Sequence, residues 1–220
     1  MTVATPPNSL LPPKAPNLPI GPKEYSQRYQ DQLLNDLRRY FNTLDNSLGL
    51  LLGTGSGGGK YVRFPYGAFQ SSVDQTATVN TATVMTFNVT DYSNDVSVVS
   101  SSRITVVNSG IYNLQWSGQF ENTDTQLHDA NVWIRVNNTT NVIGSNGLIS
   151  VPNKHGGVNG HTIAAWNYFV QLDAGDYVEL WWSTDDAQVS LQYYAAGTGP
   201  TRPTTASVIA TLSFVSALPA

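Results

Sequence analysis

Hydrophobic and polar positions alternate with a period of two from Tyr61 onward. In the segment GIYNLQWSGQF, the apolar face comprises Tyr112, Leu114, Trp116 and Phe120. Three later segments alternate in the same way, and their predicted inward residues are Val132, Ile134 and Val136, then Val178, Leu180 and Trp182, then Val208, Leu212 and Phe214. Such alternation is typical of strands with one buried face. Since Gly, Asn, Asp and Ser separate the segments, we expect roughly eight to ten strands in an antiparallel sandwich of jelly-roll or immunoglobulin type.

Residues 23–52 show a helical periodicity instead. Apolar residues recur there at alternating steps of three and four and form a seam of Leu34, Leu37, Phe41, Leu44, Leu48 and Leu51. This spacing is typical of the a and d positions of a coiled coil. Pro22 precedes the segment and Gly49 follows its most regular part, so we predict a helix from Lys23 to about Leu48. A helix of this length is marginal in water, so the chain's own β-domain or copies of the helix must cover the seam.

Segments rich in proline and glycine flank this helix. Residues 1–22 contain seven prolines, so we expect an extended arm rather than a helix or a central strand. Apolar residues between the prolines favour docking on another protein over a mobile tail, and the predicted anchor residues are Leu10, Leu11, Leu18 and Ile20. Residues 53–60, GTGSGGGK, are a predicted hinge before a head at residues 61–220. Because a glycine-rich hinge would not itself direct the helix onto the β-domain, we expect other copies of the helix to cover the seam.

Composition narrows the classes of partner. Charged residues make up 12% of the chain, the net charge is -4, and Lys and Arg do not cluster. These features argue against nucleic acid and anionic membranes as partners. No apolar run approaches the roughly 20 residues that span a bilayer, and the start of the chain lacks the pattern of a signal peptide. The chain has no cysteine, and a core of this size can be stable without disulfides.

Motifs for cofactor binding are incomplete in this sequence. GTGSGGGKY resembles a phosphate-binding loop, but Thr54 stands where the motif requires Gly and Tyr61 where it requires Ser or Thr. The three histidines, His128, His155 and His161, lack metal-ligand spacing, and we interpret them as polar loop residues. We therefore predict neither a nucleotide site nor any other cofactor.

The carboxylates of the chain could form two further kinds of site, a calcium site or the catalytic pair of a hydrolase. Four aspartates at predicted loop ends could offer oxygen ligands to calcium, namely Asp173, Asp176, Asp185 and Asp186. Solvated turn residues are the more common role for such aspartates. A polysaccharide hydrolase needs two suitably placed carboxylates, for which Glu121 and Asp129 are candidates. Because acidic residues are few and the sandwich is small, we predict that the chain is not an enzyme.

Three strand motifs stand in a recognisable order. G-x-Y-x-L-x-W at Gly110–Trp116 comes first, A-G-D-Y-V-E-L-W at Ala174–Trp181 follows, and the last apolar strand ends in S-F-V. This order resembles the head domain of the complement C1q and tumour necrosis factor superfamily, over about Gly67–Val215. The resemblance implies a jelly roll of roughly ten strands that trimerises around a threefold axis. No collagen-like Gly-X-Y run precedes the head, so the helix would replace the collagen stalk.

The strands carry more large aromatic residues than one small core needs. Trp133, Tyr177 and Trp181 lie opposite the first core face, and we predict that they form the face between subunits of the head. Two alternatives stay open. The same residues could belong to the core, or they could line a glycan or receptor site at the outer tip.

The segment PNLPIGPKEYSQRYQDQLLNDLRRYFNTLDN, Pro16–Asn46, is similar to the N-terminal part of small structural proteins from tailed phages of aquatic bacteria. This resemblance implies a place on the virion surface after synthesis in the host cytoplasm. The predicted function is a homotrimeric capsid decoration, head-fibre or short tail-fibre protein whose arm binds the major capsid protein or a tail adaptor. The alternative is an adhesin of the tail that binds a host receptor or glycan. A polysaccharide depolymerase is a weaker third hypothesis.

Overall fold

The computed structural model describes residues 16–18, 20–52 and 64–218. The chain divides into two units with a boundary between Phe64 and Pro65. Helix α1, Gln27–Leu52, belongs to the first unit, and strands β1 to β16 belong to the second. Within the described residues, no helix is long and apolar enough to cross a membrane.

Helix α1 begins at Gln27, not at the predicted Lys23. Ser26 explains the difference because it acts as the N-cap. Its Oγ accepts a hydrogen bond from the amide of Tyr29 (3.4 Å), and its carbonyl accepts one from the amide of Gln30 (3.1 Å). The position of a capping side chain, rather than of the preceding proline, therefore sets the start of the helix.

Helix α1 continues through Gly49 to Leu52, beyond the predicted end near Leu48, and Leu52 is the last residue of the segment 23–52 that has the predicted helical periodicity. Glycine lowers helix stability by only about 1 kcal/mol relative to alanine, so a helix can continue through Gly49. None of the helix residues whose side chains are described is fully buried. The seam residues Leu34, Phe41 and Leu48 are exposed on this single helix, whereas Leu37 and Leu44 are half-buried.

The second unit is mainly β. Its strands are β1 Tyr66–Ser71, β2 Gln75–Thr76, β3 Thr83–Val84, β4 Val89–Asn94, β5 Val96–Val99, β6 Arg103–Val106, β7 Gly110–Asn122, β8 His128–Val136, β9 Thr140–Asn141, β10 Gly147–Val151, β11 Gly160–Leu172, β12 Tyr177–Thr184, β13 Val189–Leu191, β14 Gly197–Thr198, β15 Thr201–Arg202 and β16 Val208–Ser216. The count exceeds the eight to ten strands predicted. The excess comes from strands of two or three residues, which are too short for alternation to reveal.

Two sheets contain most of these strands. In sheet A, the strand order is β11-β7-β16-β1-β4. Strand β13 also pairs with β7, at residues Phe120–Asn122, and β2 pairs with β13. Sheet B has the order β10-β8-β12-β6-β5, with β9 beside β8 and β3 beside β12. All pairings between these strands are antiparallel, which confirms the predicted antiparallel β class.

Four strand pairs are nested along the chain. Strand β1 pairs with β16, β6 with β12, β7 with β11, and β8 with β10. The outermost pair thus encloses the next ones, as in one long hairpin folded over on itself. The chain passes from sheet A to sheet B at Asp95, which lies between β4 and β5 and has a positive φ of 56°.

The inner faces of the two sheets share one hydrophobic core. Tyr112, Leu114 and Leu212 of sheet A are completely buried, as are Ile134 and Leu180 of sheet B. The predicted inward residues are all buried except Val136, which is partly buried against the core. Because side chains from both sheets form this single cluster, the unit is a β-sandwich-like fold.

Candidate interaction surfaces

The outer face of sheet A lacks charge over most of its area. We define the A face as the outward residues of β7, β11 and β16. Four large apolar side chains on the A face are exposed, namely Ile163, Phe169, Ile209 and Val215. Its ionisable residues are Glu121 and His161, which pair across β7 and β11 near one end of these strands. The rest of the A face consists of Asn, Gln, Ser, Thr and apolar residues, so desolvation of this area would remove no charge from water.

A shallow depression lies within the A face. It has a volume of about 240 Å³ and is lined by Gln115, Trp116, Ser117, Ile209 and Thr211. The side-chain oxygen of Asn113, also outward on β7, is buried and has no hydrogen-bond partner among the described residues. Both features leave space or hydrogen-bonding capacity for a partner surface.

On the outer face of sheet B, in contrast, two of the predicted contact rings are already covered within the chain. The predicted subunit-contact residues Trp133, Tyr177 and Trp181 lie on this face, opposite the core, and are half-buried. The guanidinium of Arg135 lies 4.1 Å from the ring centre of Trp181, and that of Arg103 lies 4.8 Å from the ring centre of Tyr177. Tyr177 and Trp181, two of the three rings predicted to contact another subunit, therefore already have a cationic partner within the chain.

Glu179 occupies the centre of the outer face of sheet B. Its exposure is 4%, and its Oε1 accepts a hydrogen bond from Ser102 Oγ (2.7 Å) and lies 3.8 Å from Arg103 Nε. It stands directly opposite Arg135 in the register of β12 and β8. Its Oε2 is buried with no partner among the described residues. The centre of the outer face of sheet B therefore carries charged residues, whereas the A face is polar and apolar but has ionisable residues only near one end of its strands.

Beside this charged centre, a groove opens over Trp133. Its volume is about 370 Å³, and the loop between β9 and β10 forms one wall. The polar residues that line it are Asn131, Asn141, Ser145, Asn146 and Ser183. The groove therefore combines an indole with amide and hydroxyl groups, and no charged side chain lines it.

A histidine cluster lies where β8 begins and β12 ends. His128 Nε2 lies 2.9 Å from Asp124 Oδ2 and 3.8 Å from Asp186 Oδ2, and its Nδ1 lies 3.4 Å from Asp185 Oδ1. The hydrogen bond with Asp124 is the main cause that raises the pKa of His128, and the same bond lowers the pKa of Asp124. The sequence interpretation of His128 as a plain polar loop residue is therefore wrong.

The same cluster has the composition of a metal site. One ligand atom each from Asp124, His128 and Asp186 lie within 4.8 Å of one another. However, Asp124 Oδ1 accepts from the amide of Thr125 (2.7 Å), and Asp186 Oδ1 accepts from the amide of Gln188 (2.8 Å). These turn contacts and the ion pairs with His128 account for the positions of the carboxylates without a metal ion.

The other aspartates proposed for calcium have turn roles too. Asp176 Oδ1 accepts a hydrogen bond from Asn137 Nδ2 (2.8 Å), and its Oδ2 accepts one from the amide of Asp173 (2.8 Å). Asp185 Oδ1 accepts one from the amide of Asp129 (3.0 Å). The predicted loop ends are correct, and the aspartates stabilise them.

The two carboxylates considered for hydrolysis have separate partners. Glu121 accepts a hydrogen bond from the hydroxyl of Tyr194, which also contacts His161 Nδ1 (3.2 Å). Asp129 accepts one from Ser150 Oγ (2.6 Å) on β10. Glu121 belongs to sheet A and Asp129 to sheet B, and no described residue bonds to both.

Part of the predicted anchor and seam lies outside the described residues. This applies to Leu10, Leu11 and the side chain of Leu51, and also to the predicted hinge at residues 53–60. Leu18 is exposed, and Ile20 is 96% exposed. A partner that removed apolar side chains of this size from water would lower the free energy of the complex.

Neither a scan of protein-family models nor a search of curated proteins finds a match to this chain.

Proposed function

We propose that this chain is a self-associating, non-enzymatic structural protein of the exterior of a tailed-phage virion. The observation that carries self-association is the A face. Its exposed apolar residues and its scarcity of charge are typical of the central part of subunit interfaces, from which charged residues are depleted. Burial of one large apolar side chain stabilises a complex by about 1.5–3 kcal/mol before entropic costs.

The nested strand pairs support a jelly-roll topology for the head. In a jelly roll, one long folded-over hairpin is distributed between two sheets. The pairs β1 with β16, β6 with β12, β7 with β11 and β8 with β10 have this order. A trimer of the C1q and tumour necrosis factor type is the assembly that we propose on this basis. The A face replaces Trp133, Tyr177 and Trp181 as the proposed subunit contact.

The exposed seam of α1 supports a second point of self-association. Leu34, Phe41 and Leu48 are large apolar residues that remain exposed on the isolated helix. Copies of α1 in a short coiled coil would remove them from water, with Leu37 and Leu44 at the alternate seam positions. Trimeric assembly would thus involve a stalk as well as a head.

Attachment to the virion is proposed for the N-terminal arm. The support is the sequence resemblance of Pro16–Asn46 and the exposure of Leu18 and Ile20. Three arms on one trimer would bind at high effective concentration, so a modest affinity of each arm would give firm attachment. The partner would be the major capsid protein or a tail adaptor.

An adhesin of host glycan or protein is the second candidate function. The groove over Trp133 favours it, because the groove carries binding chemistry that a purely structural head does not need. A depolymerase is the weaker hypothesis, because Glu121 lies on sheet A and Asp129 on sheet B, and each is already engaged in its own hydrogen bond.

The test of self-association is the solution mass of the full-length protein and of two variants. Ile163 on the A face and Leu148 on β10 of sheet B are equally exposed, at 68% and 67%. We expect a trimer for the wild type and for Leu148→Asp, but a smaller species for Ile163→Asp, as measured by light scattering. A monomeric wild type would overturn the proposal. An Ile163→Asp protein of unchanged mass would show that the A face is not the interface.

A further inference from the structure

The loop beside the groove over Trp133 is held in one conformation by four hydrogen bonds. Ser145 Oγ accepts from the amide of Ile134 (3.0 Å) and donates to the carbonyl of Val142 (2.7 Å). The hydroxyl of Tyr168 donates to the carbonyl of Ile143 (2.6 Å). Asn146 Nδ2 donates to Asn131 Oδ1 (3.1 Å), which ties the loop to β8. The wall of the groove is therefore preorganised, which lowers the entropic cost of binding a ligand.

Polar atoms in the groove remain available to a ligand. The hydrogen bond between Asn146 and Asn131 uses one amide atom of each, so one donor and one acceptor are left without a partner among the described residues. Asn141 accepts from Arg135 Nε through its Oδ1 (2.9 Å), and its amide nitrogen is likewise unused. The hydroxyl of Ser183 makes no hydrogen bond to any described residue. The groove thus offers both donors and acceptors at fixed positions.

The absence of charged groups in the lining restricts the class of ligand. An anionic ligand would need a cation, but the guanidinium of Arg135 is stacked on Trp181, and its Nε is bonded to Asn141. A cationic ligand would need a carboxylate, and none lines the groove. A neutral sugar has the matching chemistry, because its C–H face packs on an aromatic ring and its hydroxyls both donate and accept hydrogen bonds.

We propose that the groove over Trp133 binds a neutral oligosaccharide, with one sugar ring on the indole and its hydroxyls on Asn131, Asn146 and Ser183. The groove volume of about 370 Å³ is sufficient for a small ligand. The indole N–H of Trp133 is buried without a partner among the described residues, so a water or a ligand hydroxyl that reached it would complete its hydrogen bonding. This site goes beyond the structural function and does not depend on self-association.

The test uses full-length protein on an array of neutral oligosaccharides, built from hexoses and N-acetylhexosamines, next to sialylated and sulfated ones. We expect retention of a neutral oligosaccharide, with affinity then measured by calorimetry on the free sugar. Trp133→Ala should weaken binding by about tenfold or more, and Trp133→Phe should weaken it less. Tyr92→Ala is the matched control, because this exposed aromatic residue lies on β4, outside both the groove and the A face.

Three results would overturn the proposed site: no neutral oligosaccharide bound at millimolar concentration, binding of anionic glycans only, or equal affinity of Trp133→Ala and wild type. If Trp133→Ala does not fold, Ser183→Ala decides the question. Loss of the Ser183 hydroxyl, which bonds to no described residue, should weaken binding of a neutral sugar while the thermal unfolding temperature stays close to that of the wild type. Light scattering on the same samples reports self-association separately, so failure of the site and failure of the proposed trimer are distinguishable.

Discussion

At the scale of single residues, the contacts of His128 have the most direct consequence for stability. It joins three carboxylates from two different chain segments, Asp124 before β8 and Asp185 and Asp186 after β12. The segments meet because Thr184 and Ala130 are partners in the register of β12 and β8. A protonated imidazole therefore ties together two loops that only sheet formation brings close.

The stability conferred by this cluster should depend on pH. The folded-state pKa of His128 is raised, so its contribution is complete below the ordinary value of 6.5 and is lost as the pH rises through the folded-state value. The folded-state pKa of Asp124 is lowered, so its contribution is complete above the ordinary value of 3.8 and is lost as the pH falls through the folded-state value. The contact should stabilise most between these limits.

We therefore expect His128→Asn to lower the thermal unfolding temperature more at about pH 5.5 than at about pH 8.5. Differential scanning calorimetry at both pH values measures this difference. His155→Asn is the matched control, since His155 is exposed and no carboxylate contact is found for it among the described residues. An equal effect of His128→Asn at the two pH values would show that the imidazole does not act through its charge.

Residue patterns predicted the core far better than the surface. Alternation placed Leu114, Ile134 and Leu180 inward, because burial on one face is a property of the strand itself. The cluster around His128 could not be predicted, since Asp186 is 58 positions further along the chain and only the pairing of β8 with β12 joins them. The contact of Arg135 with the ring of Trp181 could not be predicted either, because it too depends on the register between β8 and β12.

At the scale of secondary-structure elements, β11 has the most exposed position among the long strands. It contains thirteen residues and pairs with β7 over its whole length, and no other strand among the described residues pairs with it. A long edge with free backbone groups is open to pairing with another chain unless something covers it. The edge of β11 and the A face are adjacent, so one partner could cover both.

Helix α1 presents a simpler case, because its seam was visible in the sequence. The spacing predicted the residues of the seam, whereas the ends of the helix depended on the Ser26 cap and on the tolerance of Gly49. Spacing also cannot reveal what covers a seam, since an amphipathic helix on a domain and a coiled coil have the same pattern. The partner of the seam therefore requires an experiment.

We expect Leu44→Asp to lower both helicity and assembly, because a charge at a seam position would be desolvated between helices. Circular dichroism at 222 nm and light scattering on full-length protein measure the two effects. Asn42→Asp is the matched control, as Asn42 is exposed and lies off the seam. A Leu44→Asp trimer with unchanged helicity would mean that the seam does not join copies of the chain.

At the scale of the whole molecule, both units carry apolar surface that a monomer leaves in water. The first unit has Leu34, Phe41 and Leu48 on α1, and the second has the A face. Two weak points of association on one chain reinforce each other, because contact at one raises the effective concentration at the other. A substitution in either unit should therefore weaken the trimer without abolishing it at high protein concentration.

Salt distinguishes the two sheet faces as candidates for the head interface. The A face is almost free of charge, whereas the outer face of sheet B contains Arg103, Arg135 and Glu179. Contacts between exposed charges weaken as the Debye length falls to about 3 Å at 1 M salt, and apolar contacts do not. We expect the trimer dissociation constant, measured by sedimentation equilibrium, to stay constant or fall between 0.05 and about 1 M NaCl. Dissociation promoted by salt would point to the charged face of sheet B, and hence to Trp133, Tyr177 and Trp181 as the subunit contact.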